Sequence, residues 1–459
     1  MAKKYGLSLF IFRRDLRVDD NTALNLAMES SDMVIPCFIF DPGLADEKRK
    51  NFNHNAFQFL LECLEDLSQQ LKFRNGILFL FSVLPEDIIM ELKIKHGIEA
   101  VFFNKDYTPF SRKRDDAILN TCEDLDIDLI CCHDVLLHEP GTVLTKEGKT
   151  YSVFSQFFKK ASKREIPLPA MQEGGKFYSG NLAVSRVSLS DFSIDRNPSL
   201  FTKGGRSHAL SILQEISDFK NYDDERDYPS ITGTTGLSAH NKLGTISIRE
   251  FYHYVKSELG PNHTLINELH WRDFFTHIAA AHPYVFTDAF KKKFDLLSWS
   301  GDEELFDAWC KGQTGFPIVD AGMKELNTTG YMHNRVRMIV SSFLVKDLHI
   351  DWKWGERYFA SKLVDYDPCV NNGNWQWAAS TGADSQPYFR IFNPWLQQKK
   401  FDPECLYIKK WIPELEGLSP KAIHSMDKGQ QLLGVDYPQP IVNHSKERNV
   451  ALAAFKSIG

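Results

Sequence analysis

Short apolar runs alternate with amphipathic stretches through the first 132 residues. The runs Leu7–Phe12, Met33–Phe40, Gly76–Phe81, Ala100–Phe103 and Ile127–Cys132 are rich in β-formers, and their brevity predicts strands buried on both faces. Between them, Asn55–Leu71, Glu86–Lys95 and Arg112–Leu125 carry apolar positions at helical spacing. Strands alternating with helices at this interval predict a doubly wound parallel sheet over residues 1–132. From 133 to 198 the periodicity breaks up among Gly174-Gly175, Pro167, Pro169 and several serines, which reads as a connector. From 199 to 459 the pattern is helical almost throughout. The expected architecture is therefore α/β plus all-α: a sheet domain, a long linker and a helical domain.

Composition narrows this. The chain has 459 residues, 43% hydrophobic and 25% charged, which excludes disorder and suits folded domains. No apolar run approaches the ~20 residues of a membrane span, so no membrane partner is expected. The eight cysteines include no C-x-x-C spacing, and no metal-ligand pattern stands among the fifteen histidines. The cysteines read as reduced thiols, hence a cytoplasmic protein, and the metal expectation is none. Net charge is −6, so any contact with nucleic acid needs a local basic patch. All nine tryptophans lie between 271 and 411, a concentration that begins to favour an aromatic-lined site over plain core.

Nucleotide motifs fail in the sheet half. No G-x-G-x-x-G follows the first strand, and Gly148-Lys149-Thr150 lacks the first P-loop glycine, Val143 standing there. In the helical half, Thr234-Thr235-Gly236-Leu237-Ser238 precedes a helical segment, where hydroxyls and exposed N–H groups suit a diphosphate, although such residues mostly only cap. Glu268, Trp271 and Arg272 share one helix face, a set that serves either an aromatic, hydrogen-bonding ligand or a surface ion pair. Asn334 and Met338 share another face, with Arg335 adjacent, on a helix running into apolar Ile339–Val345. The densest cluster, Asp365–Trp377, has a loop of Pro, Gly and Asn leading into a helix, with Trp375 and Trp377 pointing about 200° apart.

These motifs carry a resemblance. Phe12-Arg13-Arg14-Asp15-Leu16-Arg17 with Asp20-Asn21, the run Thr314–Ala321, Met332-His333-Asn334-Arg335, Trp375–Gly382 and Tyr388–Pro394 stand in order along the chain. Together the sequence resembles the photolyase/cryptochrome flavoproteins, most closely the microbial class I cyclobutane pyrimidine dimer (CPD) photolyases. The resemblance implies an antenna domain (1–132), a linker (133–198) and a helical FAD domain (199–459), acting as a monomer near the nucleoid. It implies FAD held by Tyr222, Thr234, Thr235, Leu237, Ser238, Arg337, Asp365 and Asp367, with Asn371 at flavin N5. UV-damaged DNA is the implied partner, the dimer being flipped out against Glu268, Trp271, Asn334, Arg335, Met338 and Trp377. Arg226, Arg390 and the lysines around Lys399-Lys400 and Lys409-Lys410 would meet the DNA backbone. Excited FADH⁻ would lend the dimer an electron and recover it after splitting. Trp375, Trp352 and Trp299 match the family's electron-hopping chain.

Two alternatives are weighed by residue type. Photolyases of (6-4) lesions carry a histidine pair in the lesion pocket, whereas this stretch offers Asn334, Arg335 and Met338 with only His333. Plant cryptochromes have Asp and animal ones Cys at the Asn371 position. For the antenna chromophore, folate-binding relatives place Glu where Ser111 stands here. Asn104–Phe110 instead resembles the branch that binds 8-hydroxy-5-deazaflavin, with Arg14, Asp106 and Lys242 as contacts. FMN, folate or an empty pocket are the other expectations.

Overall fold

The structure, a computed structural model, describes residues 3–42, 48, 51–172, 174–192, 194–428 and 434–458. Compactness divides the chain into two units. The first comprises Met1–Arg196, Thr202–Asp218 and Gly236–Pro283; the second comprises Asn197–Phe201, Phe219–Thr235 and Tyr284–Gly459. The helix carrying Glu268 and Trp271 thus packs with the sheet.

In the first unit five strands, β1 (Tyr5–Phe12), β2 (Ser31–Ile39), β3 (Phe79–Phe81), β4 (Ala100–Asn104) and β5 (Asp128–Cys132), form a parallel sheet of order β3-β2-β1-β4-β5. The order reverses between β1 and β4, as in doubly wound folds. Phe10, Ile11 and Phe12 of the central strand are buried, which explains why the runs are continuously apolar. Between and just after the strands run the helices α1 (Thr22–Ser30), α2 (His54–Phe73), α3 (Pro85–His96), α4 (Pro109–Asp124) and α5 (Phe154–Ala161). Two of them depart from expectation. The nine-residue α1 is too short for a clear periodic signal and is started by Asn21, whose side chain accepts the Leu24 N–H. The supposed connector contains α5, where Phe154, Phe157, Phe158 and Ala161 recur at i, i+3, i+4 and i+7.

The Phe12–Asn21 motif serves this unit's architecture. Arg17 donates to Asp134 at 2.6 Å and Arg249 to the other Asp134 oxygen at 2.8 Å; Arg249 also meets Asp20 at 3.0 Å. Asn104 at the end of β4 donates to Asp15. Burial opposes ionisation of Asp134, but Arg17 and Arg249 outweigh it and hold its carboxyl well below the usual carboxylate range. The buried charges of Arg17, Arg249, Asp20 and Asp134 persist because they are paired with one another, whereas burial raises the Asp15 carboxyl.

The second unit is helical among its described residues. Its core collects Trp309, Phe316, Met332, Phe343, Leu344, Trp352, Phe359 and Trp375. Gly355 lets the helix Trp352–Lys362 approach the helix Pro368–Ala379: a Cβ there would lie 2.1 Å from Trp375 Cη2.

Candidate functional site

In the helical unit, the helix Asn334–Lys346 is capped by His333, whose Nδ1 accepts the Arg335 N–H. The same His333 leaves its Nε2 buried with no protein partner. One turn into this helix, Arg337 donates to the Met332 carbonyl at 2.7 Å and to both Asp365 oxygens at 2.9 and 3.2 Å. Burial works against the Arg337 charge, but Asp365 more than restores it, so the guanidinium stays firmly protonated. Tyr331 lies under that guanidinium, its centroid 5.2 Å away, stacks on Phe201 at 3.7 Å, and hydrogen-bonds Thr234.

The helix Pro368–Ala379 sorts the polar cluster by position. Asp367 is its N-cap, accepting the Cys369 and Val370 N–H groups at 3.0 and 3.2 Å. Asn372 and Gln376 both donate to the Val285 carbonyl at 2.9 Å, and Gln376 accepts from Phe290; these two amides tie the helix to the preceding segment. Asn371 is different. Its Nδ2 donates to the Glu356 backbone carbonyl at 3.1 Å and to Glu356 Oε1 at 3.0 Å. With both donor hydrogens engaged, Asn371 presents its carbonyl Oδ1 on the opposite side as an acceptor. Burial pushes the Glu356 carboxyl up, and the Asn371 bond draws it part of the way back.

Trp375 is buried, edge-on to Phe359 at 5.0 Å and to Trp309 at 6.2 Å, whereas Trp377 is half-buried. Trp352 joins the same core, and Trp299 packs on its rim. Trp299 and Trp352 line one cleft of ≈ 390 Å³ with Asp288, Asp295, Asp351 and Lys353. Exposure thus rises from Trp375 and Trp352 to Trp299. Elsewhere in this unit Asn334 is exposed, Met338 half-buried, and Arg335 is turned to Asp227 at 2.7 Å with its guanidinium over Phe401. Arg226 lies over Tyr222 at 5.6 Å, and Arg390 is exposed beside exposed Phe389.

The sheet unit holds the remaining candidates. Leu237 and Ser238 open the short helix Ser238–Leu243, while Thr234 and Thr235 end a segment of the helical unit. On the helix Thr264–Ala281, Glu268 and Trp271 are half-buried. On the same helix Arg272 donates to the Val135 and Asn241 carbonyls. Arg14 donates to Asp106 at 3.0 Å and to the backbone carbonyl of Lys242 at 3.2 Å. Asp106 also accepts from Ser111 and from the Tyr107 N–H. Arg14, Asp106 and Lys242 are therefore neighbours, and Ser111 is committed to that carboxylate.

Tyr331 heads the Tyr331–Met338 segment that the sequence singles out, without a role of its own; Glu356 stands outside every motif. Tyr331 was open to notice. Glu356 was not, since nothing in its own helix marks it as the partner of an amide fifteen residues on. Among the described residues no group of His, Cys, Asp or Glu is placed to hold a metal ion.

A doubly wound sheet, then a helical unit with an acceptor amide, a half-buried arginine on a buried aspartate and indoles of graded exposure: this arrangement finds its class in known families. The family model described as "FAD binding domain of DNA photolyase" matches residues 265–457, and the "DNA photolyase" model matches 8–173. The chain belongs to the DNA photolyase family. It is 37% identical to a deoxyribodipyrimidine photo-lyase of Alkalihalophilus pseudofirmus, over 99% of each chain. An archaeal photolyase from Sulfolobus tokodaii, solved with two FAD molecules, shares 41% identity at a TM-score of 0.88, covering 98% of this chain and 100% of that one. A class III photolyase from Agrobacterium tumefaciens shares 35% at 0.90, covering 100% and 98%. A Synechocystis cryptochrome shares 28% at 0.88, covering 99% and 100%.

Proposed function

We propose that this chain is a light-driven DNA repair enzyme that splits cyclobutane pyrimidine dimers. The observation that carries the reading is the Asn371 amide, locked by Glu356 so that it offers an acceptor. Within the helical unit the donor set suits FAD: a neutral acceptor for a protonated ring nitrogen, the Arg337–Asp365 pair for ring and sugar polar groups, and the Thr234 and Thr235 hydroxyls for the diphosphate, with Tyr222 and Asp367 as further contacts. The family resemblance adds the Leu237 backbone and the Ser238 hydroxyl as diphosphate contacts. FAD, bound and reduced, supplies a photoexcitable one-electron donor. The protein's part is to hold it, keep water away with a largely buried helix pair, and fix the hydrogen-bond acceptor before light arrives.

Glu268 is the hydrogen-bonding partner for the pyrimidine edge, and Trp271 and Trp377 are stacking walls, each contributing ~1–3 kcal/mol by analogy with bases on aromatic platforms. Asn334, Arg335 and Met338 complete the set. Arg226, Arg390 and the exposed Lys400 and Lys410 meet phosphates. Trp375, Trp352 and Trp299 form the path that re-reduces oxidised FAD. Residues 1–132 serve as antenna part, 133–198 as linker and 199–459 as FAD part. The enzyme acts as a monomer wherever the cell keeps its DNA; no described helix is long and apolar enough to cross a membrane.

The antenna site lies around Arg14, Asp106 and Lys242, and its occupant is 8-hydroxy-5-deazaflavin. The second FAD of the Sulfolobus protein makes FAD the competing occupant. Chromatography and mass spectrometry of the chromophores released by heat separate the two.

The repair assay is an oligonucleotide with one thymine dimer, incubated with chemically reduced protein in blue light or darkness. Light-dependent recovery of intact thymines is expected. Binding without recovery overturns the reading in favour of a light receptor, and recovery only with a (6-4) oligonucleotide overturns it in favour of that lesion.

A further inference from the structure

Trp271 does not stand alone on its helix. Phe154, the first residue of α5, lies face to face with it, ring centroids 3.7 Å apart and planes 8° from parallel. Phe274 meets the indole edge-on at 5.7 Å, and Phe275 lies offset from it at 5.5 Å with planes 30° apart. Phe154 is itself held, stacked on Phe158 at 5.8 Å and edge-on to Phe274 at 5.9 Å. Beneath them Phe157 packs on Phe274 and His277, seating α5 on the helix Thr264–Ala281.

Phe154 and Trp271 are both half-buried, so this is not simply a piece of the interior. A half-exposed indole with a bare face exchanges rotamers, and ordering it on binding costs affinity. One covered face and a flanked edge remove that freedom beforehand. We infer that Phe154 is a positioning residue for lesion recognition: a linker side chain that sets the angle of Trp271 so that its remaining surface meets the dimer. This rests on the proposed role of Trp271 as a lesion wall, and it assigns the linker a part in specificity.

The test measures Kd by fluorescence anisotropy, on the FAD-loaded protein, for an oligonucleotide with one thymine dimer and for its undamaged twin. Phe154→Leu keeps apolar volume and removes the stack; it should weaken dimer binding about three- to tenfold while leaving undamaged DNA unchanged. Phe154→Tyr should restore it. The double variant Phe154→Leu/Trp271→Ala should bind the dimer no more weakly than Trp271→Ala alone, because one residue acts through the other. If Phe154→Leu does not fold, Phe154→Met runs the same cycle.

Additive losses, equal weakening on both oligonucleotides, or parent-like binding by Phe154→Leu while Trp271→Ala is impaired would overturn the inference alone. Parent-like dimer binding by Trp271→Ala overturns the wall assignment as well.

Discussion

Glu356 fixes one amide and thereby one acceptor. Replacing it with Leu leaves only its backbone carbonyl for Asn371 Nδ2, and a buried donor losing a partner costs about 1–3 kcal/mol. The expected outcome of Glu356→Leu is a shifted flavin absorption spectrum and faster air oxidation of reduced FAD, with the lesion Kd unchanged. Glu268→Ala should do the reverse: FAD stays bound and its spectrum stays put, while the number of dimers split per absorbed photon falls several-fold. A yield equal to the parent's would remove Glu268 from the chemistry. The contrast also shows what is readable in a chain. Glu268 and Trp271 share a helix face and can be paired by counting, whereas the Asn371–Glu356 bond joins two helices and exists only once they pack.

At the scale of elements, the approach of two helices depends on a missing side chain. Gly355→Ala would put a methyl 2.1 Å from Trp375 Cη2, and overpacking of this kind typically costs ~1–3 kcal/mol. A lowered Tm and weaker FAD retention are expected, measured by thermal melt and by flavin released on dilution. Trp352→Phe keeps the packing volume nearly constant and removes the middle indole. Light should then fail to reduce oxidised FAD, while dithionite-reduced protein repairs at the parent rate; surviving photoreduction would place the electron path elsewhere. Elements were the most legible level. Five strands follow from apolar runs, because a parallel sheet buries both faces of all but the half-exposed edge strand β5. The misses were α1 and α5, two helices of nine and eight residues, whose identity comes from a cap and from what they pack on. α5 was hidden by neighbouring prolines and glycines, and with it went the partner of Trp271.

The molecule as a whole should be acid-labile. Burial lowers His138 and His240 to about 3, and His277 and His333 to about 4, below the ~6.5 of an unfolded histidine. The unfolded chain therefore binds more protons between these limits. Stability from these rings is complete above pH ~6.5 and drains away as pH falls toward 4. Asp273, pushed up by burial to about 7, works in the opposite direction, since its carboxyl is already protonated in the fold as pH drops below that value. Burial likewise lowers His133, His208, His270 and His282, and likewise raises the carboxyls of Asp15, Asp320, Glu325, Asp347, Glu356 and Asp402, which act with Asp273. Unfolded histidines take up protons at higher pH than unfolded carboxyls do, so the rings predict a Tm that declines from about pH 7 to about pH 5.5 in a series of melts at constant ionic strength. A flat profile would mean that these rings gain partners on protonation.

The charge network beneath β1 has a consequence for how the protein is born. Asp20 and Asp134 wait for Arg249, which leaves the ribosome more than two hundred residues after Asp20. At roughly 5–20 residues per second that wait lasts on the order of ten to fifty seconds. Until it ends, the sheet cannot close over Asp20 and Asp134 without burying two carboxylates against the single positive charge of Arg17. A nascent chain halted near residue 200 should be cut readily by protease, and one extended to 283 should resist. The first domain to appear is thus obliged to finish late, and completion of the sheet is tied to synthesis of the very helix that bears Glu268 and Trp271.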